Sequence, residues 1–367
     1  MRSIVSPTLL LNESICRDNI RLMTEKAMPQ NILFRPHFKT HQSATIGNWF
    51  QEAGVTSITV SSVRMARYFA QSGWNKITIA FPLNIRELQD IEDLSKTIEL
   101  SILISDPEAI PYLQGFPLPL NVWIEIDTGY HRSGLAFDQE GKIEKTIMAI
   151  GNIQNLRLIG FLSHTGNTYH TIEPDEIKSC YQEAVLRLVK LKNRFERPGQ
   201  SLAISMGDTP SASILDNFGP IQEIRPGNFV FYDLMQYYHG VCALSDIAVA
   251  LACPVVAKYP DRGEIVVYGG AIHLSKEYIE QDGRKIFGHP VLLKEKKWLT
   301  VGLQNVVVSL SQEHGIIRLE NAMINAVNVG DLLGILPVHA CLTANLMKGY
   351  RTLDGRFIDH LEGAGTF

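Results

Sequence analysis

The chain has 367 residues, 45% hydrophobic, 8% aromatic and 20% charged, with a formal net charge of -4. That length suits a large barrel or sheet plus a smaller companion, and the composition excludes disordered and fibrous classes. No cationic excess is present to neutralise phosphates or to hold an anionic bilayer, so nucleic acid and membrane surfaces are excluded as expected partners. Five cysteines, at 16, 180, 242, 253 and 341, are odd in number and form no Cys-x-x-Cys pair, which points to a reducing cytoplasm rather than a disulfide framework. The first apolar stretch is broken by Pro7, and the run from Ile247 to Ala257 is too short to span a bilayer. Neither a secretion signal nor a membrane segment is expected.

In chain order, PTLLL is an extended piece, and Asn12 is placed to cap a helix over 13–27. Eight β-branched runs then follow: NILFR at 31, TSITVS at 56, KITIAF at 76, IELSILI at 98, LNVWIEI at 120, LRLIGFL at 156, SLAISM at 201 and IQEIR at 221. They alternate with segments of helical apolar spacing such as 41–53, 62–72, 84–96, 138–150 and 173–194. Eight βα units imply an α/β fold, a closed (β/α)8 TIM-type barrel over 13–240. After residue 240 the pattern becomes mainly β: IAVALACPVVAKY, IVVYGG, NVVVSLS and IIRLE, joined by the turns PDRGE and QEHG. The tract KEKKW at 294–298 is expected to be a solvated surface face.

The polar motifs gather just after barrel strands, where such barrels place their chemistry. RPHFKTH follows strand one, DTGYHRSG strand five, SHTGNTYH strand six, MGDTPS strand seven and RPGN strand eight. An isolated lysine is usually a surface residue, but Lys39 sits between His37 and His41 at a strand end, among groups able to lower its pKa and free its amine for a Schiff base. Gly207, Asp208 and Thr209 on one side, with Gly227 and Asn228 on the other, form a cradle in which backbone N–H groups can hold a phosphate. A Schiff-base lysine and a phosphate cradle across one mouth together suggest pyridoxal 5'-phosphate. His164, Tyr169 and His170 can stack on or hydrogen-bond to its ring. Arg132 and Arg225 both compete for the ring nitrogen or a substrate carboxylate, each being a fixed cationic fork at a strand end. Asp127 is read as ordering its own loop through local hydrogen bonds.

RPHFKTH, DTGYHRSG, RPGN and HACLTANL together resemble the fold-type III pyridoxal-phosphate enzymes related to alanine racemase, in the D-serine dehydratase and D-threonine aldolase branch. The resemblance covers nearly the whole chain. It implies that Lys39 bears the cofactor, that 207–209 and 227–228 contact its phosphate, and that PTLLL joins the β domain, which then comprises 1–12 plus 241–367. His339 and Cys341 are good zinc ligands, and a His-x-Cys spacing on an extended strand turns both to one face. In the family this is where a catalytic divalent metal binds, with His-x-Cys resembling the zinc-dependent dehydratases and His-x-Asp the aldolases. Leu342 stands where the dehydratases often carry proline.

The expected activity is β-elimination from a D-3-hydroxy amino acid, giving a 2-oxo acid and ammonia. The alternatives are retro-aldol cleavage to glycine and an aldehyde, a non-catalytic pyridoxal-phosphate carrier, and a racemase. A carrier needs neither a β domain nor a metal pair, and a racemase needs a second base that the sequence does not reveal. The resemblance also implies a homodimer.

Overall fold

The computed structural model of the chain describes residues 3–171 and 173–362, which gather into two compact units. One takes Arg21–Lys39 and Gly47–Gly227; the other takes the residues up to Ile20, Thr40–Ile46 and those from Asn228 onward.

The first unit is built on parallel strands at Leu33–Phe34, Ile58–Val60, Lys76–Pro82, Glu99–Ile104, Leu120–Asp127, Leu156–Ser163, Ala203–Met206 and Glu223–Ile224. Each is centred on one of the β-branched runs. They pair in chain order, and the eighth lies beside the first. The ring closes outside regular strand geometry. His37 forms a parallel bridge with Thr59, Phe38 N–H donates to the Thr59 carbonyl, and Thr59 N–H donates to that of Pro36. The result is the expected (β/α)8 barrel.

Its helices bury one apolar stripe each. In Val63–Gln71 the buried residues are Val63, Met65, Ala66 and Phe69, at helical spacing, and Ser62 caps the start by accepting from Met65 N–H. Between strands four and five there is only a 3-10 segment, Pro107–Leu113, in which Pro111 denies an interior N–H to any α-helical ladder. The strand Leu135–Ala136, which carries too short a pattern to read from sequence, adds to strand five through Ile126↔Leu135.

Gly160 shows how tightly the barrel wall is fitted. It sits inside strand six with φ +155, and a Cβ there would lie 2.0 Å from the Ala203 carbonyl oxygen on the next strand. That obstacle is backbone, so no side chain can rotate away. Gly160→Ala is expected to cost about 3 kcal/mol or more through lost ladder bonds and strain, measured as a lowered urea midpoint. A loss below about 1 kcal/mol would contradict the close approach.

The second unit is mainly β. Its large sheet runs Trp298–Thr300, Gly288–Leu293, Leu332–Pro337, Val249–Tyr259, Thr8–Leu11, Tyr350–Thr352 and Phe357–Ile358, extended by Glu264–Tyr268, His314–Arg318 and Val306–Leu310. The PTLLL segment pairs antiparallel with Val249–Ala252 and parallel with Arg351–Thr352. Leu9, Leu10 and Leu11 are completely buried by this pairing. The long central strand changes register between Val255 and Ala257, so one half serves Thr8–Leu11 and the other Glu264–Tyr268. Asn12 accepts from Ile15 N–H at 3.3 Å and caps the helix Glu13–Ala27. Among the described residues no helix is long and apolar enough to cross a membrane.

Candidate active site

Strand one ends at Phe34, and the chain enters a turn at 38–41 that carries Lys39. The residue before it is the anchor: Phe38 is fully buried, with ring centroids 4.9 Å from Phe50, 4.9 Å from Phe69 and 5.1 Å from Trp74. Gly47 permits that cluster, because a Cβ there would lie 3.3 Å from both Phe38 and Trp74. The buried ring fixes the turn and leaves Lys39 exposed. Lys39 N–H also reaches His37 Nδ1 at 3.3 Å.

Inside the barrel the polar groups form one network. Arg35 Nε donates to Glu223 at 2.7 Å, Ser205 donates to the other Glu223 oxygen at 2.7 Å, and Arg225 Nε donates to Ser205 at 2.6 Å. Arg225 Nη2 donates to the Ser163 carbonyl at 2.7 Å, and Gly207 lies so close over the guanidinium that a Cβ would come within 2.9 Å. Burial lowers the Arg225 pKa to about 10, with Glu223 and Glu125 opposing the shift. Arg35 and Arg225 are thus balanced by Glu223 and Glu125. Lys39 and Arg132 also act on this end of the barrel.

Their field is visible in the histidines. His37 is driven well below the ordinary value, by burial first and then by Lys39, Arg225, His164 and Arg132. Burial, Lys39 and Arg132 lower His164 to about 3. Its Nδ1 meets the Gly207 carbonyl, which makes Nδ1 the protonated nitrogen and leaves a neutral, flat imidazole. Tyr130, which sequence reasoning did not single out, packs edge-on to His164 with centroids 5.9 Å apart, and Gly166 has no Cβ because one would lie 2.2 Å from the Tyr130 ring. Tyr169 is 6.1 Å from His164, and its hydroxyl accepts from Thr209 N–H at 3.1 Å. Arg132 is exposed, 5.5 Å from the Tyr130 ring centre. Asp127 accepts from the amides of Gly129, Tyr130 and His131 and holds that loop.

The loop after strand seven fits an anionic group through its hydroxyls. Thr209 Oγ1 and Ser211 Oγ are buried without a hydrogen-bond partner, an arrangement that costs free energy unless a ligand supplies acceptors. Asp208 is spent elsewhere: its carboxylate takes the Thr165 and Thr168 hydroxyls and the Ser211 amide, so only its main chain is left for a phosphate. Gly227 is buried in the loop after strand eight. Asn228 belongs to the other unit, where its Nδ2 donates to Asp233 at 2.6 Å and lies 3.6 Å from Cys341 Sγ.

In the β unit, His339 and Cys341 do not lie on an extended strand as the His-x-Cys spacing suggests. The strand ends at Pro337, His339 is the last extended residue (φ -132, ψ 100), and Cys341 is the second residue of the helix Ala340–Met347. The reason is composition: ACLTANLM is rich in helix formers and begins three residues after Pro337, which cannot donate to the ladder. The two side chains meet nonetheless. Burial pushes His339 down, but Cys341, through charge and a hydrogen bond, together with Asp233 and Glu277, lifts it to about 9. Buried His339 Nδ1 has no hydrogen-bond partner, and Thr40 lies 3.3 Å from Cys341 Sγ. Imidazole and thiolate are a donor set that suits zinc. Among the described residues no group of three or more His, Cys, Asp or Glu could hold a metal, so this pair would leave open positions.

Two family models match the chain in succession. The family model for the alanine racemase N-terminal domain matches residues 12–234, and that for a putative serine dehydratase domain matches 248–353. The chain is 27% identical to a D-threo-3-hydroxyaspartate dehydratase from Delftia sp. strain HT23, over 95% of this chain and 94% of that one. The solved structure of the Delftia enzyme superposes with a TM-score of 0.90 at 25% identity, covering 98% of both chains. Also solved are its variants with a histidine or, two residues further on, a cysteine changed to alanine, the latter in the metal-free form. A D-serine dehydratase from Dictyostelium discoideum is 27% identical over 96% of this chain and 94% of its own. A D-threonine aldolase from Arthrobacter sp. is 22% identical over 94% and 88%. With both halves matched in order, the chain belongs to the alanine racemase-like family, in its branch of D-serine dehydratases and D-threonine aldolases.

Proposed function

We propose that the protein is a pyridoxal-phosphate- and zinc-dependent lyase that eliminates water from D-3-hydroxy amino acids. The observation that carries this reading is the Lys39 turn, pinned by Phe38 at the end of a barrel that also holds unpartnered hydroxyls at Thr209 and Ser211. Pyridoxal phosphate, when bound, supplies an electron sink for the Cα–H electrons, and zinc, when bound, a Lewis acid for the β-hydroxyl.

In this reading Lys39 would hold the cofactor, and its amine would take the α-proton of the substrate. Thr209, Ser211 and the backbone at Asp208 and Gly227 would receive the phosphate, Gly207 leaving room beside them while its own N–H is given to the Ser163 carbonyl, and Asn228 would serve through its main chain. His164, kept neutral, and Tyr169 offer flat faces for the ring. Arg225, locked by Ser205 and Ser163, is a rigid donor, and Arg132, on the exposed side, suits a carboxylate. His339 and Cys341 hold the metal. With D-serine the hydroxide and α-proton depart together as water, and the released aminoacrylate hydrolyses to pyruvate and ammonia. Cysteine rather than aspartate two residues after His339, with the lower identity to the aldolase, favours elimination over retro-aldol cleavage. The reading includes a homodimer in the cytoplasm, consistent with five free cysteines.

Incubation with D-serine, D-threonine and D-threo-3-hydroxyaspartate, with assays for 2-oxo acid, ammonia, glycine and aldehyde, tests the reaction type. The expected products are 2-oxo acid and ammonia from D-isomers, with L-isomers inert because one lysine reaches one face. Glycine and aldehyde as main products would make it an aldolase, and no turnover at all would favour a carrier.

A further inference from the structure

The buried carboxylate of Asp233 connects more of the His339 and Cys341 surroundings than any local need explains. It is completely buried at the start of the helix Leu234–Tyr238, where Oδ1 caps that helix by accepting from Gln236 N–H at 3.0 Å. Oδ2 turns the other way. It accepts from Asn228 Nδ2 at 2.6 Å and from Ala340 N–H at 2.9 Å, and stands 3.6 Å from His339 Nδ1. Ala340 is the first residue of the helix Ala340–Met347, whose own preceding residue, His339, makes no side-chain cap. A carboxylate from elsewhere in the chain therefore fixes the amide between His339 and Cys341. The same Asn228 amide that donates to Asp233 lies 3.6 Å from Cys341 Sγ.

We infer that Asp233 is the positioning residue of the metal pair: it holds His339 by Nδ1, so that Nε2 faces the metal, and orients the Cys341 sulfur through Asn228. A carboxylate on the far ring nitrogen fixes the tautomer and raises the basicity of the coordinating nitrogen. At 3.6 Å the contact is that of an ion pair, longer than a hydrogen bond. This inference rests on the metal site of the proposed function.

The test is metal binding by the full-length protein, read without turnover. Zinc affinity is measured by competition with a chromophoric chelator, and cobalt(II) is added to read the thiolate charge-transfer band of Cys341. Wild type is expected to take one metal per chain, and Cys341→Ala to lose it. Asp233→Asn should bind zinc about tenfold to a hundredfold more weakly, with the cobalt–thiolate band restored at saturating metal. Asn228→Ala leaves both caps made by Asp233 in place, and should weaken binding about fivefold, the equivalent of one hydrogen bond. Zinc affinity within twofold of wild type in both variants would overturn the inference, as would an Asp233→Asn protein that shows no band at any metal concentration while Asn228→Ala binds normally. A wild-type protein that binds no metal would refute the proposed metal site itself.

Discussion

Lys39→Ala is expected to abolish both the colour and the activity of the purified protein. Wild type should be yellow, and borohydride should fix the cofactor onto Lys39, identifiable by peptide mass. With that amine removed, the covalent link and the base that takes the α-proton are lost together, so turnover should fall by about four orders of magnitude or more. The fold should survive, because Lys39 is exposed and the turn is held by Phe38 in its aromatic cluster. An unchanged melting temperature separates this outcome from misfolding. Fixation at another lysine would refute the assignment.

Chelation is expected to have the second largest effect. If His339 and Cys341 hold zinc, dialysis against a strong chelator should lower turnover about a hundredfold or more, while the absorption band of the lysine-bound cofactor persists, because the two groups have separate ligands. Added zinc should restore activity. Cys341→Ala should behave as the chelated protein does and resist rescue. Full activity in metal-free Cys341→Ala protein would remove the metal from the mechanism.

The barrel was legible because its strands are short, β-branched and separated by helical spacing, so that each run from NILFR to IQEIR centres on an observed strand. Closure follows from the count of eight units, but the residues that make it do not, since His37 and Thr59 join outside any regular strand. At the candidate site, Lys39 and the glycine loops could be read from local motifs. The pairing of Arg35 with Glu223, and of Arg225 with Ser205, spans long stretches of chain and carries no local signal. Asp233 was invisible for the same reason. The geometry around Cys341 was misread because a two-residue spacing says nothing about backbone state, and ACLTANLM prefers a helix.

The pairing of Thr8–Leu11 sets an order of events at the ribosome. This strand is made well before its antiparallel partner at Val249–Ala252 and its parallel partner at Arg351–Thr352. At about 5–20 residues per second, the three leucines wait roughly 10–50 s for the first of these partners, long enough for the whole barrel segment to leave the exit tunnel. During that interval the nascent chain carries a bare apolar strand, a natural client for a holdase chaperone. A stop codon between residues 228 and 249 would release the barrel strands with that strand permanently unpaired, and such fragments are expected to aggregate rather than accumulate as soluble half-proteins.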